Sequence, residues 1–136
     1  MRLLIDTNVI LDYLLSREGF HEQARAVFDL VKYKKDFEFV SSSAVTDIFY
    51  HLNKALRNSF EAQDQISELI DVLSILNVME QDIRAALKLR WKDFEDAVQY
   101  AVALSNGVDA IITRNAKDFE RRDIPVLSPG EFLDTL

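Results

Sequence analysis

Met1-Arg2-Leu3-Leu4-Ile5-Asp6-Thr7-Asn8 governs how the rest of this chain reads. A short apolar run ends abruptly in a carboxylate, and an apolar pattern of helical spacing begins immediately after Asn8. A strand that feeds straight into a helix is the opening unit of an open α/β sheet. It leaves Asp6 at the carboxyl end of the strand, where ligands and reacting groups collect in such sheets. The same residue is well placed to cap the helix, with Asn8 sharing that role. The choice between the two roles turns on whether other carboxylates converge on Asp6.

Outward from this start, short apolar runs alternate with longer stretches of helical periodicity. The pattern predicts strands near 2–6, 37–41, 75–78, 109–113 and 125–127. Helices fill roughly 8–17, 20–34, 44–58, 60–73, 80–91, 93–106 and 129–135. Alternation of this kind predicts an α/β fold of three layers, with a parallel sheet covered on both faces. Ser128-Pro129-Gly130-Glu131 reads as a capping box with proline at the first helical position. Asn106-Gly107 reads as a left-handed helix stop.

A length of 136 residues with no internal repeat, and with too few Gly (3) and Pro (2) for a flexible linker, predicts one domain over 1–136. The absence of cysteine excludes disulfides, thiol nucleophiles and cysteine-ligated zinc. Asp6 and Asp12 interrupt the first apolar run, so it is no signal peptide. No stretch approaches the ~20 apolar residues that cross a bilayer. A cytoplasmic protein with no membrane association is therefore expected.

The net charge of −7 argues against a general nucleic-acid-binding surface. It is compatible with a nuclease, because carboxylates that hold cations add to the negative count and the bound metal reverses the local field. Basic residues group at Lys32-Lys34-Lys35, Lys88-Arg90-Lys92 and Arg114-Lys117-Arg121-Arg122, and read as solvated faces. His21 and His51 read as ordinary surface or cap residues. Trp91 and the Phe residues read as core or interface packing.

Three further acidic groups follow the strand pattern. Asp47 comes after a strand and the turn Ser41-Ser42-Ser43. At about 100° per residue it falls beside Ala44 and His51, on the flank of an apolar stripe in the first turn of its helix. Asp93 and Asp96 share one face of a helix start, with Tyr100 below them and small residues (Ala97, Ala101, Ala103) that allow close packing on the sheet. Thr113, Asn115 and Asp118 follow the strongest apolar strand. Each group also has a plain reading as a cap, a dipole partner or a polar turn.

Their placement together is more telling. Two carboxylates ~4 Å apart repel by ~4 kcal/mol at an effective dielectric of 20. Without a cation they must separate or share a proton. Hard oxygen donors suit Mg²⁺ or Mn²⁺, ions that clamp a phosphodiester and generate hydroxide from water.

Leu4-Ile5-Asp6-Thr7-Asn8, Ser41 with Asp47-Ile48, Asp96-Ala97 with Ala101 and Ala103, and Ile112-Thr113-Arg114-Asn115 with Asp118-Phe119 resemble the PIN domain family, and VapC-type toxin ribonucleases in particular. The resemblance covers nearly the full length. It implies a five-stranded parallel sheet of order 3-2-1-4-5, and Mg²⁺- or Mn²⁺-dependent hydrolysis of RNA. Asp6, Asp47 and Asp96 would hold metal, with Asp93 as an accessory. Thr113 would orient Asp6 or a metal-bound water.

Two positions depart from the family pattern. Asp47 stands where Glu is common and must approach by about another 1.5 Å or act through water. Asn115 stands where Asp is common, keeping an oxygen ligand but losing a charge that Asp118 would restore. The resemblance also implies a homodimer and, for a toxin, an antitoxin partner. The alternative is a catalytically weak or inactive PIN-fold protein-binding module. A haloacid-dehalogenase-like phosphotransferase resembles the chain only at Asp6, since its motif wants an Asp where Asn8 stands.

Overall fold

The computed structural model describes residues 1–31, 37–120 and 123–136. Five strands, β1 (Leu3–Ile5), β2 (Glu38–Ser41), β3 (Ser74–Leu76), β4 (Ala110–Ile112) and β5 (Val126–Leu127), form one sheet in the order β3-β2-β1-β4-β5. Every pairing is parallel, with Leu3 opposite Glu38 and Ala110, and Ile5 opposite Ile112. Leu3, Leu4 and Ile5 are wholly buried, which explains why the first strand is an unbroken apolar run. Their side chains alternate between two cores.

The helices are α1 (Thr7–Leu14), α2 (His21–Val31), α3 (Ser42–Leu56), α4 (Ser59–Val72), α5 (Glu80–Leu89), α6 (Phe94–Ser105) and α7 (Pro129–Asp134). A 3₁₀ turn spans Ala116–Asp118. Leu3, Ile5 and Ile112 pack with Val9, Ile48 and Phe132 on one face of the sheet. Leu4 and Ile111 pack with Ala86, Val98 and Tyr100 on the other. Trp91 sits against Tyr100 and Phe119 on that second face, whereas Phe60 and Phe94 are exposed rather than packed. Connections run from β1 to β2 on one side and reach β4 on the other, so the strand order reverses between β1 and β4. Asp6 and Thr113 lie just beyond the carboxyl ends of these two strands.

Several boundaries differ from the sequence pattern for identifiable reasons. Expected helices 8–17, 44–58 and 80–91 stop earlier because Ser16, Arg57 and Arg90 adopt left-handed backbone, at φ 49, 53 and 57°. Gly107, at φ 64°, supplies the anticipated stop after α6. Helix α3 starts at Ser42, not near 44, because the Ser41 hydroxyl accepts from Ser43 N at 3.3 Å and caps it. Asp47 consequently lies in the second turn, beyond the N-terminal dipole. The third strand ends at Leu76 because Val78 N leaves the ladder and donates to Ser42 Oγ at 3.0 Å.

The end of expected helix 20–34, together with Lys32-Lys34-Lys35 and Arg121-Arg122, falls outside the described residues. No helix among the described residues is long and apolar enough to cross a membrane.

Candidate active site

Asp6 ends β1 with extended backbone and caps α1, but its side chain does more than cap. Oδ1 accepts from Thr7 N at 2.7 Å and from Gln99 Nε2 at 2.8 Å. Oδ2 accepts from the Thr113 hydroxyl at 2.6 Å and from Asn8 Nδ2 at 3.3 Å. Four donors thus meet a carboxylate with about four lone-pair positions. Thr113, wholly buried, also accepts from Asn8 Nδ2 at 3.2 Å and Asn115 N at 3.1 Å. Its hydroxyl is fully used in holding Asp6 and the turn that follows β4.

Asn8 does not share the cap. Its Oδ1 accepts from Arg114 N at 3.2 Å, tying α1 to that same turn. Arg114 reinforces the tie with bonds of 2.6 and 3.1 Å to the buried Asp12 carboxylate, and its guanidinium lies 3.9 Å from the Phe20 ring centroid. Arg17 reaches the same carboxylate more loosely, at 3.5 Å.

Across from Asp6, α6 begins. Asp93 is its N-cap and accepts from Asp96 N at 3.0 Å. The 3₁₀ turn brings Asp118 to the same place. Asp93, Asp96 and Asp118 each offer an oxygen, and these oxygens lie within 4.8 Å of one another. Burial, followed by the charges of Asp6, Asp93 and Asp118 and a hydrogen bond with Asp93, pushes the Asp96 carboxyl up to about 8. Burial, followed by Asp47, Asp6 and Asp93, also raises Glu95.

These groups line an open cleft of about 220 Å³. Asp6, Asp47, Asp93, Glu95, Asp96 and Asp118 supply carboxylates, while Arg17, His51 and Asn115 complete the wall. Asp47 therefore reaches the cleft, from α3, where its Oδ1 lies 3.6 Å from His51 Nε2. Asn115 lines the cleft from an exposed position and makes no side-chain cap bond to the 3₁₀ turn. Thr113 stands behind Asp6 rather than in the wall.

Residues 2–117 match the family model described as the PIN domain. This chain belongs to the PIN domain family. It is similar to Ribonuclease VapC1 of Aquifex aeolicus (strain VF5), 28% identical over 138 residues that cover 98% of this chain and 94% of that protein. Among solved structures it resembles VapBC-1 from nontypeable Haemophilus influenzae, with a TM-score of 0.71 at 19% identity, covering 96% of this chain and 99% of the other. It also resembles a toxin–antitoxin complex from Klebsiella pneumoniae, with a TM-score of 0.70 at 22% identity, covering 93% and 97%. At these identities the structural likeness speaks for the fold.

The PIN domain's own donor set fits a hard divalent cation. Three carboxylates crowd together, the arrangement in which a cation relieves repulsion best. The sequence pattern does not single out Glu95, Gln99 or Arg17, and it leaves His51 as an ordinary surface or cap residue. Gln99 carried one usable signal: it is an amide three residues after Asp96 in a helix otherwise lined by small apolar residues. His51 carried another, four residues after Asp47 on the same helix face.

Proposed function

We propose that this PIN domain is an endoribonuclease that hydrolyses RNA phosphodiester bonds with Mg²⁺ or Mn²⁺. The observation that carries the reading is the convergence of Asp93, Asp96 and Asp118 within 4.8 Å, beside Asp6, in an open cleft. Asp93, Asp96 and Asp118 would hold the cation together with Asp6. Asp47 from α3, Glu95 from α6 and the neutral Asn115 oxygen from the turn after β4 would complete its surroundings. When bound, such a cation would lower the pKa of the attacking water and offset negative charge on the phosphate oxygens.

The chain's own residues supply orientation. Thr113 holds Asp6 from behind. Arg17 brings a cationic side chain to an otherwise acidic cleft, where it can meet an RNA phosphate. The relatives, a ribonuclease and toxin–antitoxin complexes, support the same activity and an antitoxin partner. A cytoplasmic homodimer is part of this reading.

Mn²⁺ or Mg²⁺ titrated into the purified protein, with single-stranded and structured RNA as substrates, tests the proposal. Metal-dependent cleavage that disappears in Asp6→Asn is the expected result. Cleavage unchanged by that substitution would remove Asp6 from the site. A wild type that neither binds metal nor cleaves would leave the protein-binding module as the better account.

A further inference from the structure

Gln99 lies on α6 three residues after Asp96 and is 1% exposed. Its Nε2 donates to Asp6 Oδ1, while its Oε1 is buried with no hydrogen-bond partner among the described residues. Turning the amide over would set its oxygen against a carboxylate oxygen, acceptor against acceptor. The contact with Asp6 therefore fixes which way the amide points. Packing does not account for the residue, since Leu or Met would fill the space without an orphaned carbonyl.

The bond has a consequence for how Asp6 meets a cation. Thr7 N and Gln99 Nε2 occupy Oδ1 at 2.7 and 2.8 Å. On Oδ2 the Thr113 hydroxyl sits at 2.6 Å, but Asn8 Nδ2 is distant at 3.3 Å. Only this last, weakly held position can be vacated cheaply. We propose that Gln99 is a positioning residue that withdraws Asp6 Oδ1 from the cleft and commits Asp6 to bind a divalent cation through Oδ2 alone, with the Asn8 amide as the donor displaced. One face of α6 would then carry Asp96 as a ligand and Gln99 as the residue that orients Asp6. The inference rests on the metal-dependent reading above.

Binding of Mn²⁺ to the full chain without RNA, followed by electron paramagnetic resonance of the free ion, tests it. Gln99→Met should weaken Mn²⁺ binding by about tenfold, the scale of lost second-sphere partners, with an unchanged or higher melting temperature. Gln99→Asn, one methylene too short to reach Asp6, should give the same loss without added apolar volume, and it serves where methionine disturbs the helix. Asn8→Asp, which keeps the acceptor for Arg114 N but removes the donor to Asp6, should bind Mn²⁺ as tightly as wild type or more tightly, because that donor is the one that leaves.

Opposite responses at two residues that both donate to Asp6 distinguish positioning from general loosening of the site. Wild-type affinity in both Gln99 variants, or equal weakening in the Gln99 and Asn8 variants, would overturn the inference alone. Absence of Mn²⁺ binding in the wild type would overturn the metal reading and the inference with it.

Discussion

The two walls of the acidic cleft solve the problem of a buried carboxylate in opposite ways. On the β1–β4 side, Asp6 accepts four donors, from the backbone, an amide, a hydroxyl and a second amide. On the α6 side, Asp93, Asp96 and Asp118 face one another, and Asp96 resists ionisation up to about 8. The first wall is complete as it stands. The second leaves like charges facing one another around the buried Asp96, which on the proposed reading a cation offsets, so one wall is an anchor and the other a set of candidate ligands.

Glu38 gives a third case. It is buried on β2 with both carboxylate oxygens unpartnered among the described residues, and burial alone pushes it up to about 8. Unlike Asp96, it lies outside the cleft.

The largest expected effect comes from Asp96→Asn. On the proposed reading, RNA cleavage should fall on the order of a hundredfold or more, since even second-sphere partners of a metal cost ten- to a hundredfold. The metal-free protein should meanwhile melt at a higher temperature, because a repelled carboxylate has gone. A lower melting temperature would show that the α6 wall is not under strain.

Next comes pH. Glu38 and Asp96 both have folded pKa values raised to about 8, above their ordinary values of 4.5 and 3.8. The folded state therefore holds more protons than the unfolded state between those limits. Stability should be fully present at the acid end and fall as pH rises through 8. Glu38→Gln should flatten part of that slope and stabilise the protein at pH 8 and above by on the order of a few kcal/mol. Saturating Mn²⁺ should remove the Asp96 part and leave the Glu38 part. Denaturant melts across pH, with and without Mn²⁺, separate the two.

Thr113→Val keeps the side chain's shape but strips one donor from Asp6 and an acceptor from Asn8 and Asn115. It should cost about 1–3 kcal/mol in chemical denaturation. No loss would mean that the anchor wall does not depend on the hydroxyl. The smallest effect is expected from Asn115→Asp, which adds charge to the α6 side of the contrast. Mn²⁺ affinity should rise roughly threefold, a sub-kcal/mol change on the scale of exposed charge pairs. Calorimetric titration of the ion measures it.

The anchor wall and the α6 wall are not equally legible in the sequence. Asp6, Asp93, Asp96 and Asp118 announced themselves because strand ends and helix caps are local patterns. The sheet order matched the family resemblance, and the strands fell within a residue or two of their expected places. What surrounds Asp6 could not be read locally. Gln99 lies 93 positions from Asp6, and Arg114 lies 102 from Asp12. Only the closing of the sheet brings them together.

Non-glycine residues at left-handed helix stops leave no compositional mark, so the sequence pattern runs the helices through Ser16, Arg57 and Arg90. The turn position of Asp47 was misread for a related reason. Three consecutive serines look like a loop, yet one of them caps the helix and the next two begin it.

The pairing of β1 with β4 also governs when this molecule can become complete. The strand at the centre of the sheet is made before the other four, yet one of its edges waits for residues 110–112. Asp6 likewise waits for the hydroxyl of Thr113, 107 positions later. Contacts this distant in sequence form late and slowly. During synthesis, a chain that already carries Asp6 and Asp96 still lacks the partner strand that joins them, so the acidic cleft is assembled only once β4 and the turn after it have been made.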